Sequence, residues 1–369
     1  MNSDPYKEYI ISKEPSKEEK QYAWYTAIGL QKVDGLETSS YLNDLAKKNI
    51  NGEITLPEAK ILIDSYYEEL NDTKETTLEA DKVSTRIAEI LSSNSFSYSL
   101  DEYFNIHEYL FKGIIKNAGE VRKFDITKKE WVLDGDTVTY GSCQSLYKTL
   151  EYDFNMERNF DYSKLSIDET IKHLARFVSN LWQIHVFPEG NTRTTAVFLI
   201  KYLRKLGFNV NNDLFANNSW YFRNALVRAN YNNYEKNIKE DTSYLELFLR
   251  NLLLKENNDL KNRYMHISHK KEDFKYKKPD IETKKPDIDV NSIINDLAKY
   301  NFISKTKDNI IILIKTINNN VFSRKEVSQT LNLSPSRSSD LIKQMLDNNI
   351  IVSVKGFGKG KYKFRKIIG

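Results

Sequence analysis

His185-Val186-Phe187-Pro188-Glu189-Gly190-Asn191-Thr192-Arg193 crowds an imidazole, a carboxylate, a glycine, an amide and a guanidinium into about two and a half helical turns. Residues 171–184 before it have the apolar spacing of a buried helix, and 194–203 after it are apolar enough to form another. The nonamer therefore reads as a tight polar loop between two core helices, ending where the second begins. Free backbone N–H groups and the positive dipole end of a helix favour an anion at such a place. Gly190 lacks a Cβ and lets the chain approach that anion closely. Arg193 would neutralise phosphate through its planar fork. Glu189 is a hard oxygen ligand suited to Mg²⁺ shared with phosphates. His185 is the proton acceptor near neutral pH. Together they describe a nucleotide-phosphate site with a base beside it.

The string resembles the motif of Fic-domain proteins, His-Pro-Phe-x-(Asp/Glu)-Gly-Asn-x-Arg, most characterised members of which move AMP from ATP to a hydroxyl side chain of a target protein. The resemblance implies a helical core with a β-hairpin flap that aligns the target. It implies His185 as general base, Phe187 as core anchor, and Glu189 as the Mg²⁺ ligand. Gly190, Asn191, Thr192 and Arg193 would form the phosphate cradle. Val186 stands where the motif has proline, and Ala196 stands where many members carry a second arginine, which contacts the γ-phosphate.

The remaining composition narrows the class. A 40 % apolar and 29 % charged chain reads as soluble and globular, and no apolar run approaches the roughly 20 residues a membrane span needs. The first residues are polar and lack a signal-peptide core. A single cysteine, Cys143, excludes an intrachain disulfide, fits a reducing cytoplasm and reads as structural. Lysine and asparagine richness suggests a bacterial origin. His107, His173, His266 and His269 show no partner spacing and read as structural. His-Glu-x-x-His, Cys-x-x-Cys and Walker patterns do not occur.

The fold class expected is mainly α, in three parts and a linker. Residues 1–75 carry helical periodicity over 22–36, 41–51 and 56–70, separated by Asp34-Gly35 and Asn51-Gly52. This unit resembles the antitoxin-like inhibitory domain that accompanies Fic proteins, whose inhibitory helix carries (Ser/Thr)-x-x-x-Glu-(Gly/Asn). Two carboxylates compete for that glutamate's place: Asp34, followed by Gly35, and Glu89, preceded by Thr85. Residues 80–257 form the expected catalytic core. Within it 100–115 reads as a helix. Alternating β-branched and aromatic residues on both sides of Asp134-Gly135, over 119–140, read as a β-hairpin, the flap of the resemblance. Such a flap would add main-chain hydrogen bonds to an extended target segment. Tyr221, Asn224 and Arg228 recur on one helical face. That face is similar to the family's nucleoside-facing helix, so Tyr221 and Asn224 would stack on adenine and bind ribose.

Residues 258–288, with Lys277-Lys-Pro-Asp280 echoed by Lys284-Lys-Pro-Asp287, read as a charged solvated linker. Residues 289–369 pattern as helix–turn–helix followed by a basic hairpin, which looks like a winged helix-turn-helix domain. Ser336, Arg337, Ser338 and Ser339 would read bases, and Lys359, Lys361 and Arg365 would face phosphates. Winged helices also serve as protein-binding modules.

Two function classes emerge. One is a protein adenylyltransferase using ATP and Mg²⁺ on a Ser, Thr or Tyr hydroxyl of a target protein or of itself, releasing pyrophosphate. The other is a nucleotide-sensing transcriptional regulator that binds DNA through 289–369. Neither involves a membrane, and either accommodates a homo-oligomer. An intact His185 favours the enzyme, because sensing phosphates requires no base.

Overall fold

A computed structural model describes residues 15–69, 75–269, 297, 300, 302, 304–317, 320–354 and 356–365. Ser16 opens the first helix with a reciprocal capping box, its hydroxyl accepting from Glu19 N–H while Glu19 accepts from Ser16 N–H. This α1 (Lys17–Gln31) runs into a 3₁₀ turn (Lys32–Asp34) that Gly35 stops at a φ of 70°. α2 (Ser40–Asn51) ends on Gly52 in the same left-handed conformation, and α3 (Leu56–Glu69) and α4 (Glu75–Ser92) come next. Gly29 lets α1 lie against α9 (Leu214–Ala229): a Cβ there would come within 2.4 Å of the Ala216 backbone. α1 also packs along α4.

The centre of the molecule is α5 (Leu100–Phe111), α6 (Leu146–Arg158), α7 (Ile167–Ile184), α8 (Asn191–Lys205), α9 and α10 (Ser243–Leu254). α8 is buried along nearly its whole length and packs against α5, α7 and α4. One apolar cluster runs from Tyr22 and Trp24 through Phe187 and Phe198 to Phe248 and Met265, so the N-terminal helices share the core of the central helices. α9 is kinked at Asn218 (φ −129°, ψ 26°).

Three stretches depart from the sequence expectations. α5 stops at Phe111 rather than 115, and Phe111 O accepts from Ile114 and Ile115 in turns. The 119–140 segment doubles back at Asp134-Gly135, as the turn chemistry requires, but forms no ladder of paired strands. Its closure consists of Glu130 N–H to Asp136 O at 3.0 Å, Gly135 N–H to Glu130 O at 3.0 Å and Lys128 N–H to Thr137 Oγ1 at 3.1 Å. A 3₁₀ turn (Trp131–Leu133) occupies its tip. Main-chain groups at its two ends bond to the α7–α8 connection, Arg122 N–H to Val186 O and Thr139 O to Gln183 Nε2, rather than across a regular hairpin. Residues 258–269, expected as the start of a solvated linker, pack instead: Met265 is buried, and Ile267 N–H reaches Val132 O at 3.0 Å. The rest of that stretch, 270–288 with both Lys-Lys-Pro-Asp repeats, lies outside the described residues.

The C-terminal part has its own apolar cluster around Leu313, Phe322, Val327, Ile342 and Met345. Its elements are α11 (Ser304–Ile317), β1 (Phe322–Ser323), α12 (Arg324–Leu331), α13 (Pro335–Asp347), β2 (Ile351–Ser353) and β3 (Lys361–Phe364). Ser334 caps α13 and Pro335 takes its first position. The strands form an antiparallel sheet in the order β1-β3-β2, with Phe322 opposite Tyr362 and Ile351 opposite Phe364. Among the described residues no helix is long and apolar enough to cross a membrane.

The β2–β3 hairpin leans on the central helices. Asn209 N–H donates to Gly356 O at 3.0 Å and Gly356 N–H to Gly207 O at 3.1 Å. Lys361, expected to face phosphates, is buried, with Nζ 3.0 Å from Leu165 O, and Lys325 pairs with Glu169. Ser338, expected to read bases, is buried too and donates to Ser334 O at 3.0 Å. Ser336, Arg337, Lys359 and Arg365 are exposed.

Candidate functional site

The nonamer is the loop between α7 and α8 together with α8's first turn, which starts at Asn191 rather than after Arg193, and two left-handed residues set its shape. His185 ends α7 at φ 50°, ψ 56°, and Gly190 precedes α8 at φ 71°, ψ 4°. Gly190 is required twice over. Its φ lies in the region side chains avoid, and a Cβ would stand 2.4 Å from Phe111 Cε2. Asn191 fastens the loop to itself: its Oδ1 accepts from Phe187 N–H at 3.0 Å and its Nδ2 donates to Phe187 O at 2.7 Å. Thr192 is buried and accepts from Trp182 Nε1 at 2.9 Å, so its side chain serves α7–α8 packing.

Phe187 is fully buried and stacks on His107, ring centroids 3.7 Å apart, with Tyr103 and Phe104 beside it. His107, structural by its sequence context, is the histidine that holds the loop. Gly119 N–H donates to its Nδ1 at 2.8 Å, so Nε2 carries the proton and donates to Glu189 O at 3.0 Å. Burial pushes its pKa down to about 4, with the Arg193 charge adding to the shift, against the bond to Glu189 O.

Arg122 does the same from the other side. Fully buried, it donates through Nε to His185 O at 2.7 Å and through its guanidinium to Phe124 O and Gly141 O. Its own N–H reaches Val186 O at 2.9 Å, while Gly141 N–H reaches Gln183 O at 3.2 Å and Gln183 Nε2 reaches Thr139 O at 3.0 Å. The 119–141 segment is thereby held alongside the nonamer. Nothing in the spacing of the sequence marks Arg122 for this role, since these partners are backbone carbonyls.

His185 is 2 % exposed and lies between the rings of Trp182 and Tyr140. Its Nδ1 is 3.2 Å from Trp182 O, an interaction that places the proton on Nδ1 and leaves the lone pair on Nε2. Nε2 is buried with no partner among the described residues. Burial and the nearby charge of Lys128 push the pKa well below the ordinary histidine range, which keeps the ring neutral. Lys128, on the 119–140 segment, is partly buried in the combined field of Asp34, Arg223, Glu130 and Glu189. Tyr140 donates to Glu130 at 3.1 Å, and Arg223 forks onto the buried Glu130 carboxylate at 2.5 and 3.0 Å.

Arg193 is 2 % exposed and spanned by the N-terminal helices. Nη1 donates to Gln31 at 2.9 Å, Nη2 to Glu79 at 2.6 Å, and Asp34 Oδ2 lies 2.8 Å from Nε. The Phe111 ring lies 4.7 Å from the guanidinium. Of the two carboxylates singled out in the sequence, Asp34 thus reaches the nonamer. Glu89 pairs with Lys60 at 3.2 Å and with Tyr109, away from the loop. Glu79 and Gln31 carry no sequence signal of their own, because neither sits in the motif that directs attention to Asp34. Ala196 is buried, and Asp34 meets the nonamer's own arginine.

Tyr221 and Asn224 are buried: the Tyr221 hydroxyl donates to Tyr244 O at 3.2 Å and Asn224 Nδ2 to Asn262 Oδ1 at 2.8 Å, while Asn224 Oδ1 is buried with no partner among the described residues. It is Arg223 and Trp220, on another face of α9, that form the cation–π pair beside Glu130. Glu189 is exposed, and its carboxylate makes no ion pair among the described residues. A single free oxygen ligand at a helix start suits Mg²⁺, which takes one or two carboxylates together with phosphates and water. Among the described residues no cluster of three or more His, Cys, Asp or Glu stands ready to hold a metal by itself.

Residues 97–203, which contain α5 to α8 and the nonamer, match the model of the Fic/DOC family. Among solved structures the chain is similar to a Fic family protein from Desulfovibrio desulfuricans G20. The identity is 12 % and the TM-score 0.40, over 94 % of this chain and 87 % of that one. Among curated proteins no match was found.

Proposed function

We propose that the chain transfers AMP from ATP to a hydroxyl side chain of a protein, itself included. The observation that carries this is His185 Nε2, a buried lone pair without a partner among the described residues, on the loop that also presents Gly190, the first N–H groups of α8, and Arg193. The acceptor hydroxyl would give its proton to Nε2 as its oxygen attacks the α-phosphorus. The bond from that phosphorus to the bridging oxygen breaks, and pyrophosphate leaves with the electron pair. Catalysis here is placement and charge stabilisation rather than a covalent enzyme intermediate. The α8 N-terminus and Arg193 would oppose the phosphate charge. Glu189 would hold Mg²⁺, which supplies further neutralisation of the phosphates when bound. Arg223 and Lys128, near Glu130, bring positive charge to a site whose usual second arginine is Ala196 here.

The same geometry supports a restrained enzyme. Glu79 and Gln31 accept from two nitrogens of Arg193 that phosphate oxygens would need, and the Asp34 carboxylate forms an ion pair beside the third. ATP and the N-terminal helices would compete for one guanidinium. The C-terminal part fits a winged helix in its sheet order and its α12–α13 turn. With Lys361 committed to Leu165 O, we read it as a targeting or regulatory module rather than as a free DNA reader.

Incubating the full chain with Mg²⁺ and α-labelled ATP tests the transfer. Label should enter wild type and any added target, and His185→Ala should lower the rate by at least about 10²-fold, the usual contribution of a general base. Equal labelling in wild type and His185→Ala would defeat the proposal.

A further inference from the structure

We infer that the chain carries a second ligand site, separate from the nonamer, that takes a phosphate monoester with a compact apolar body. A cavity of about 700 Å³ lies among the first turn of α7, the end of α9, the 237–241 loop, α10 and residues 264–269. That is within the range of small-molecule sites. None of residues 185–193 lines it. Lys172, at its edge, precedes His185 on α7 by thirteen residues, about 20 Å along the axis. Five residues separate Arg223, which faces Glu130, from Arg228, which faces the cavity, so the two point from different faces of α9.

Arg228 is the decisive group. It is 6 % exposed, and neither its Nε nor its Nη1 meets a hydrogen-bond partner among the described residues. No carboxylate among them lies within ion-pair distance. His269 adds a second buried nitrogen, Nε2, with no partner among the described residues, lining the same cavity. A guanidinium stays charged in a protein, and burying its donors unmet is costly. The acids around the cavity hold their own hydrogen bonds, and although the Asp241 charge bears on Arg228, it makes no hydrogen bond to the free Nε and Nη1. Asp241 Oδ1 accepts from Ser243 N–H at 3.0 Å, Glu246 from the Thr242 hydroxyl at 2.9 Å, and Glu240 pairs with Arg176 at 3.4 Å. Arg250 is likewise held by Asp168 at 2.9 Å. Lys172 and Lys239 stand exposed at the mouth. Set against the Asp241 and Glu246 carboxylates on the same wall, the Arg228 fork and the two exposed lysines leave positive charge for a phosphate. Leu247 and Met265 supply apolar wall for the ester's body.

Calorimetric titration of the full chain with phenyl phosphate, and separately with inorganic phosphate, tests the site. Phenyl phosphate should bind wild type and the Arg193→Ala variant alike, and at least about tenfold more weakly to Arg228→Met. Inorganic phosphate should bind more weakly than the ester because it has no body for the wall. The exposed pair Lys172→Glu/Lys239→Glu, which leaves the core untouched, should weaken binding too and carries the test if Arg228→Met fails to fold. No binding to wild type at millimolar ester, undiminished binding to Arg228→Met or to the lysine pair, or loss in Arg193→Ala alone would overturn the site. Equal affinity for the two probes would overturn the apolar body. The readout is binding, so it stands independently of whether label is transferred from ATP.

Discussion

At the scale of single residues the nonamer is over-determined. His185 is held by its own left-handed turn, by Nδ1 on Trp182 O, and by Arg122 on its carbonyl. Gly190 cannot be replaced without strain, so Gly190→Ala should cost about 1–3 kcal/mol, the usual range for overpacking, and should displace α8's start from Phe111. Thermal unfolding measures the first effect, and the His185-dependent labelling rate reads the second. His107 gives a pH signature. Its pKa is pushed down to about 4 in the fold, against about 6.5 when unfolded. The unfolded chain therefore binds the proton first as pH falls. Stability from this group is complete above about pH 6.5 and is lost between there and about 4, by up to about 3 kcal/mol. Urea midpoints across that window should fall for wild type and change less for His107→Gln; parallel curves would refute the assignment. The nonamer is legible because its residue types and their order are distinctive. His107 and Arg122 are not, because a histidine or arginine bonding backbone carbonyls leaves no trace in residue spacing.

At the scale of elements, the helices were legible from periodicity and caps. The Ser16, Ser166 and Ser323 capping boxes and the Gly52 stop mark their ends in residue type alone. The 119–140 segment was half legible. Its Asp134-Gly135 turn is where the dipeptide puts it, yet main-chain groups at both its ends pair with the α7–α8 connection instead of with each other. That exchange depends on partners about 50 residues away in sequence, beyond any local pattern. The packing of the α9 face is set in a similar way. Tyr221 and Asn224 turn to α10 and Asn262, while Arg223 turns to Glu130. The β2–β3 hairpin offers a test at this scale. The Leu165 carbonyl under Lys361 anchors it, and Glu169, whose carboxyl Lys325 and Ser166 hold at about 2, anchors α12 beside it. Glu169→Lys sets like charges against Lys325 and also removes the side-chain half of the Ser166 capping box. Limited proteolysis should then cut 354–360 faster than in wild type while labelling by ATP persists. Unchanged cutting would mean that the Gly356 and Lys361 contacts hold the hairpin without the Lys325–Glu169 pair.

At the scale of the whole molecule, one core joins the N-terminal helices to the Fic/DOC-like segment, whereas the C-terminal part has a core of its own. Removing the N-terminal helices would expose the α9 surface that Gly29 fits and strip Trp24 and Leu30 from the shared core, so deletion is a poor probe of restraint. The coupling between parts runs instead through a single guanidinium, Arg193, shared by α1's end, the 3₁₀ turn, α4 and α8. Asp34→Asn/Glu79→Gln leaves shape and burial unchanged and removes both competing charges. Charge-assisted bonds of this kind contribute about 1.5–3 kcal/mol each, so the double variant should raise the initial labelling rate from α-labelled ATP by at least about tenfold. The rise should vanish when His185→Ala is added. A labelling rate equal to or below wild type, in a double variant that folds and binds ATP, would contradict the claim that Arg193 is the phosphate group's partner and the N-terminal helices its restraint.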